Sequence, residues 1–452
     1  MSQPREGVPA PEAEGSGAQG ASGRPAVPSV PLATVLREWG RIGCIGFGGP
    51  PAHIRLLRQL VVERRGWLDA REFEDAIAVC NMMPGPASTQ LAIFCAWRLR
   101  GRAGALVGGA GFILPGLVVI LCLSVLFLAG SPPLWVLGAG AGAGAAVPAV
   151  AVQAGWSLLG PSWRNKRATI RWACYVAAGL AAAPTIGAWL VLVLLGCGAV
   201  ELLARLRAMR HSAAQTGSAT ESGSATPTGN EAGTDGGART GGTSTRSGYP
   251  DSSDGTGKLR GLIAAPALVL AVGGGVLASV AWEAFKIGGL SFGGGFVIIP
   301  LMQADVVGHY HWMSGAQFLN AVALGQVTPG PVVQTVAAVG YSAAGLAGGL
   351  LASAVAFTPS FLFVLFGGPR FQQIRGDARA RAFLEGAGPA AIGAIFGSAI
   401  ALTHVLSHPW QYAVLAGALV LLLPLRRGVV LTLLTGAAIG VAIALGTGSV
   451  AG

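Results

Sequence analysis

Two short stretches hold most of the groups in this chain that could grip a ligand: "NMMPGPASTQ" at 81–90 and "QVTPGPVVQT" at 326–335. Each places a Pro-Gly-Pro tripeptide, Pro84-Gly85-Pro86 or Pro329-Gly330-Pro331, beside hydroxyl and amide side chains. Proline suits the first turn of a helix, where its missing N–H would have had no partner. The N–H groups that follow then point out of the helix end, which carries roughly +0.5 charge and binds anions. Ser88, Thr89, Gln90, Thr328, Gln334 and Thr335 can add side-chain donors. The chemistry is capture of a small anion, with no bond made or broken. The competing reading is a proline kink in a packed helix. Recurrence of the tripeptide favours the binding reading.

A second pair of interruptions lies upstream of the first. "RIGCIGFGGPPAHI" (41–54) and "KIGGLSFGGGFVII" (286–299) carry Gly48-Gly49-Pro50-Pro51 and Gly293-Gly294-Gly295, where a helix cannot run smoothly and backbone can approach a ligand. Charges sit just before them. Glu38 and Arg41 are three residues apart, as are Glu283 and Lys286, so each Glu can pair with its basic neighbour on one helix face. A lone charge in the bilayer centre costs at least ~2.5 to 3.5 kcal/mol. Two readings stay open: self-neutralised pairs near helix ends, or cations that attract an anion while the glutamates exchange protons. His53 is either a titrating group or a hydrogen-bonded helix residue.

The elements that must position these residues are membrane helices. The chain has 452 residues, 52% apolar and 11% charged, with mean hydropathy +0.60, whereas soluble domains carry about 25% charged residues. Apolar runs such as 103–130 and 189–206 approach or reach the ~20 residues that cross a bilayer as helix. Regular ~10-residue alternation is absent, which favours an all-α polytopic bundle over a barrel. The net charge of +11 comes from short arginine clusters between apolar runs, which read as topology signals and not as a nucleic-acid surface. Six cysteines without CxxC spacing suggest packing, and neither a metal nor a cofactor is expected. No histidine lies in a ligand motif such as HExxH, so the chain reads as a non-enzyme. Residues 1–30 are expected to be a disordered tail and 211–257 a disordered Gly/Ser/Thr-rich linker.

The linker divides two related halves, 31–210 and 258–452. Residues 33–106 align without a gap to 278–351, matching Glu38 with Glu283, Phe47-Gly48-Gly49 with Phe292-Gly293-Gly294, Trp67 with Trp312 and the two Pro-Gly-Pro tripeptides. Loop charges then set orientation. Connections in the first half run basic (98–102), neutral (131–133), basic (164–171), neutral (183–187); their counterparts run neutral (342–348), basic (370–381), neutral (404–410), basic (425–427). Under the positive-inside rule the halves are inverted repeats. The extra apolar segment 261–282 supplies the crossing that flips the second half. About 10 to 13 transmembrane or re-entrant helices result, broken at the FGG and PGP motifs. The N-terminus and linker are placed in the cytoplasm and the C-terminus outside. Inverted repeats with midplane broken helices are a recurrent transporter architecture.

"FGGPPAHI", "RRGWLD" (64–69), "MPGPASTQLAI" (83–93), "IGGLSFGGGFVIIPLMQ" (287–303) and "ALGQVTPGPVV" (323–333) resemble the signature motifs of the chromate ion transporter family, in its long two-domain form. The resemblance covers roughly 31–205 and 261–405. It implies a plasma (inner) membrane protein that exports chromate, with sulfate as competitor. Ser291 and Gln326 keep residues the family commonly has before Phe-Gly-Gly and near Pro-Gly-Pro, whereas the first half has Gly46 and Asn81. Both join the expected substrate site. Chromate is a dianion near neutral pH, so a 100 mV inside-negative potential expels it with about 4.6 kcal/mol. Proton exchange through Glu38 or Glu283 would add to that drive. An anion channel, or an importer of sulfate or another oxyanion with the same fold, is the alternative. Expected partners are the oxyanion and membrane lipid, with room for a homodimer.

Overall fold

A computed structural model describes residues 30–83, 85–128, 130–164, 169–186, 189–221, 275–291, 296, 298–367 and 378–449. The expected tail, most of the linker, much of the extra segment 261–282, and Pro84 and Gly293 to Gly295 among the expected site residues lie outside these. All secondary structure among the described residues is helical. The first half contributes α1 (Leu32–Ile45), α2 (Pro50–Arg58), α3 (Ala70–Met82), α4 (Ala87–Phe127), α5 (Leu134–Arg164), α6 (Thr169–Ile186) and α7 (Leu190–Glu221). The second contributes α8 (Val276–Leu290), α9 (Ile298–Gln303), α10 (Gly315–Val327), α11 (Thr335–Gly367), α12 (Ala378–Thr403), α13 (Pro409–Leu422) and α14 (Val429–Thr447). The end of α7 overlaps the first residues of the expected linker. Both α2 and α9 run on into one π-helical turn, Gln59–Arg64 and Ala304–His309.

Among the described residues, five helices are long and apolar enough to cross a membrane: α4, α5, α11 with its preceding turn, α12 and α14. The motif-bearing elements are shorter. α3 and α10 have 13 residues each, about 20 Å of helix against a hydrocarbon core of ~30 Å. Their starts are written locally: the Asp69 carboxylate accepts from the Arg71 N–H at 2.9 Å, and Ser314 and Gln317 form a capping box. α4 is itself divided, because Arg100 (φ −142°, ψ 24°) and Gly101 (φ 58°, ψ −144°) leave helical geometry. Arg98 pairs with Glu72, two residues equidistant in sequence from Gly85. α3 and residues 87–99 are therefore antiparallel legs of a hairpin whose tip is the first Pro-Gly-Pro. A second hairpin has its tip at Gly48-Gly49: Glu38 on α1 meets Arg65 beyond α2 at 2.6 Å, and Trp39 stacks on Trp67 with centroids 6.4 Å apart. Each leg is shorter than the ~30 Å hydrocarbon core.

The second half repeats this plan with one change of register. Gly85 (φ 116°) and Gly330 (φ 99°) stand 245 residues apart, but the break glycines Gly101 and Gly345 stand 244 apart, with matching dihedrals at Ala344 (φ −148°, ψ 28°) and Gly345 (φ 63°, ψ −153°). The gapless sequence match thus slips by one residue after the tripeptide. The cause is Val332–Gln334, a 3-10 turn where the first half starts directly in α-helix. Fewer residues per turn lift the chain to the same depth with one residue less. Under the corrected register Gln334 is the counterpart of Gln90, and Pro359-Ser360 of Pro115-Gly116.

The halves interlock. α5 packs along α13 and α14, while α12 packs along α6 and α7, and the long helices α4 and α11 meet at the centre. Small residues permit the close crossings, as where Gly436 would bring a side chain within 2.7 Å of the Gly142 carbonyl. Within each half α1 lies along α4 and α8 along α11. A Cβ on Gly43 would meet the Phe112 carbonyl at 2.7 Å, and Gly288 abuts Ala356 in the same way.

Candidate functional site

The breaks of one half converge on those of the other. The Gly330 N–H, at the second tripeptide, donates to the Gly46 carbonyl at 3.0 Å, just before the first Gly-Gly break. Val332 lies over Gly49. Gly116 of α4 abuts the Pro329 carbonyl and the Gln334 amide, and the Gln334 Nε2 donates to the Ile113 carbonyl at 2.6 Å. At the first tripeptide, Gly85 faces Gln90 of its own helix and Ser360 of the other half's α11: a Cβ built on it would lie 3.2 Å from Ser360 Oγ. Two tips, each covered by a proline-bearing helix of the opposite half, make one buried polar centre.

Its geometry follows from the residue types. Gly48 and Gly49 hold φ of 97° and 73°, so α2 restarts at Pro50. Pro86 and Pro331 stand one residue earlier than a first-turn proline, as the N-cap of α4 and of the 3-10 turn. Pro86 offers no side-chain cap, and its carbonyl accepts from the Thr89 and Gln90 N–H groups. The N–H groups ahead of these have no carbonyl inside the helix. Gly85, Pro86, Ser88, Thr89 and Gln90 are buried, as are Ser291, Gln326, Thr328, Pro329, Gly330, Pro331, Gln334 and Thr335, while Gly48 is exposed. Thr328 and Thr335 donate to the Gly325 and Val332 carbonyls at 3.3 and 2.9 Å, which occupies their hydrogens locally. Among the described residues, Thr89 Oγ1, Ser291 Oγ, Gln326 Nε2, Gln334 Oε1 and Ser360 Oγ are buried without a hydrogen-bond partner. Each such group costs about 1 to 3 kcal/mol, so their gathering at helix breaks makes these the candidate residues for a polar ligand.

His53 is fully buried, its Nε2 2.8 Å from the Gly46 carbonyl and its Nδ1 3.3 Å from Ser88 Oγ, with the ring edge against Phe112. A carbonyl only accepts, so Nε2 carries hydrogen and Nδ1 can accept from the serine hydroxyl. The imidazole also explains Gly46: a Cβ there would lie 2.9 Å from His53 Nε2 and 2.7 Å from the Ile42 carbonyl. In the second half Ile298 replaces the histidine, and Ser291 fits.

The charged pairs differ from the spacing expectation in one half. Glu38 binds Arg65, and Arg41 is exposed, because the hairpin returns Arg65 to the face that Glu38 occupies. Arg65 lies 5.5 Å over the Trp67 ring. Lys286 does meet Glu283, at 2.6 Å, and also binds Asp305 from the π-helical turn. Arg65, Asp305, Gly116 and Ser360 escaped the sequence reading. The prolines at 115 and 359, paired by the 244-residue register, are the sequence signal for the last two.

Fold and site together define a multi-pass helical membrane protein with a buried polar centre at paired helix breaks. The model of a family described as "Chromate transporter" matches residues 33–202 and 278–441. The chain belongs to the chromate transporter family. The chromate transport protein of Cupriavidus metallidurans is 28% identical over 387 residues, covering 83% of each chain. That of Pseudomonas aeruginosa is 28% identical over 386 residues, 81% of this chain and 80% of the relative. A probable chromate transport protein of Synechococcus elongatus is 26% identical over 387 residues, 84% of this chain and 87% of the relative. No solved structure matches the chain.

Proposed function

We propose that this protein is a secondary transporter that exports chromate, or a related tetrahedral oxyanion such as sulfate, across the plasma membrane. The observation that carries the reading is the meeting of helix breaks from both halves, where the Gly330 N–H bonds the Gly46 carbonyl and His53 links that carbonyl to Ser88 at the first Pro-Gly-Pro tip, in a member of the chromate transporter family. Helix ends there present N–H groups and partial positive charge to an anion in low dielectric. The two halves lie in opposite orientation, with the N-terminus and linker in the cytoplasm. Alternating loop charge supports this, and so do hairpins too short to cross, which meet tip to tip if they enter from opposite faces.

An inside-negative potential of 100 mV drives a dianion outward by about 4.6 kcal/mol, so export needs no coupled ion. Where proton exchange accompanies transport, it runs through Glu283 and Asp305, two buried carboxylates that share the single ammonium of Lys286. The test is uptake of labelled chromate, sulfate and molybdate into inverted vesicles, with and without a pH gradient. Saturable, potential-driven uptake with counterflow is expected. Uptake no faster than in vesicles lacking the protein overturns the reading, and unsaturable current identifies a channel.

A further inference from the structure

The two tips are equivalent in backbone and unequal in chemistry. After Pro86 the first reads Ala87-Ser88-Thr89-Gln90; after Pro331 the second reads Val332-Val333-Gln334. The helix covering the first presents Ser360, and the helix covering the second presents Gly116, packed hard against the Pro329 carbonyl. At the second tip the Gln334 amide donates to the Ile113 carbonyl, and Val332 covers Gly49. There the Gln334 Nε2 is engaged and Val332 covers the break, while Gln334 Oε1, an acceptor, and Gln326 Nε2 stay buried without a partner among the described residues.

At the first tip Ser360 is fully buried and its hydroxyl has no partner among the described residues. This is unusual for a helical hydroxyl in this protein. Thr358, two residues earlier in the same helix, donates to the Ala354 carbonyl at 2.8 Å, and Ser124 and Ser398 likewise donate into their own helices at 2.7 Å. Ser360 instead has its oxygen against Gly85, where φ of 116° and the absence of a Cβ leave the turn open to it. Thr89, one turn into α4, is also buried with its hydroxyl unpartnered. Helix end, hydroxyl from the facing half and hydroxyl from the same half thus belong to one tip.

We infer that the oxyanion is held at the first Pro-Gly-Pro tip, and that Ser360, reaching across from the second half, donates a hydrogen bond to it. The inference rests on the transport reading above and adds which tip binds and what completes it. A tetrahedral oxyanion suits such a site because it offers acceptors in several directions at once. One oxygen can take the N–H groups of α4 while another takes Ser360. A hydroxyl donating to an ionised oxygen makes a charge-assisted bond, shorter and roughly twice as strong as a neutral one.

The experiment is chromate uptake by the full chain in proteoliposomes, measured as initial rate against concentration for wild type, Ser360→Ala, Ser360→Thr and Ser398→Ala. Ser360→Ala is expected to raise the half-saturating concentration about tenfold or more with little change in maximal rate. Ser360→Thr, which keeps the hydroxyl, recovers most of the affinity. Ser398→Ala removes a buried serine already bonded in its own helix and stays at the wild-type value. Wild-type affinity in Ser360→Ala overturns the inference and leaves the transport reading standing, whereas absence of chromate-dependent flux in wild type overturns both. If Ser360→Ala fails to insert, Thr89→Val, which copies the second tip, is read in its place, and unchanged affinity there counts against the inference equally.

Discussion

The first and second halves share hairpins, breaks and π-helical turns, yet they solve the same local problems with different side chains. Glu38 is neutralised by Arg65 near a half-exposed hairpin base, while Glu283 shares Lys286 with Asp305 in a buried cluster. Position 46 is glycine because His53 fills the space, and position 291 is serine because Ile298 does not. The difference teaches that one backbone plan can be neutralised and packed by different side chains in each half.

The largest expected effect separates the charge clusters. Lys286→Met leaves two buried carboxylates without a cation and should destabilise the protein by about 3 to 5 kcal/mol. Arg65→Met breaks a pair that water still reaches and should cost at most about 1 kcal/mol. Thermal unfolding of both variants in detergent measures the contrast, and equal losses would erase the distinction between the halves. The next effect compares the tips. Gly85→Ala forces a left-handed backbone and a Cβ toward Gln90 and Ser360, and should lower chromate flux at least about a hundredfold; Gly330→Ala meets nothing nearer than 3.5 Å and carries only backbone strain of about 1 to 2 kcal/mol. Flux in proteoliposomes decides, and a greater loss in Gly330→Ala would reverse the assignment of the polar tip. The smallest concerns Gly46. Gly46→Ser should lower thermal stability, and adding His53→Ile, which copies the second half, should restore it with a coupling of about 1 kcal/mol or more. Additive losses would show that the histidine does not dictate the glycine.

Much of this was legible in the sequence. Proline and glycine announce breaks through their own backbone chemistry, so the interruptions at Gly48-Gly49 and at both Pro-Gly-Pro sites stood out, and matched tryptophans and tripeptides exposed the duplication. The partner of Glu38 was hidden, because a hairpin brings Arg65 back from a distance that helical spacing does not encode. Asp305 was hidden by the π-helical turn, which rotates side chains away from the faces a 3.6-residue period assigns. Ser360 lay beyond a one-residue slip caused by the tighter turn at Val332–Gln334, and an isolated serine in an apolar helix gives no signal of its own.

Opposed orientation of the halves is the claim on which the rest depends, and thiol labelling tests it most directly. Arg102→Cys and Leu346→Cys, placed singly in a background without the six native cysteines, mark the exposed helix starts just after the equivalent breaks of α4 and α11. A membrane-impermeant maleimide applied to intact cells is expected to label Leu346→Cys and to reach Arg102→Cys only after the membrane is opened. Labelling of both positions from the same side would contradict the account.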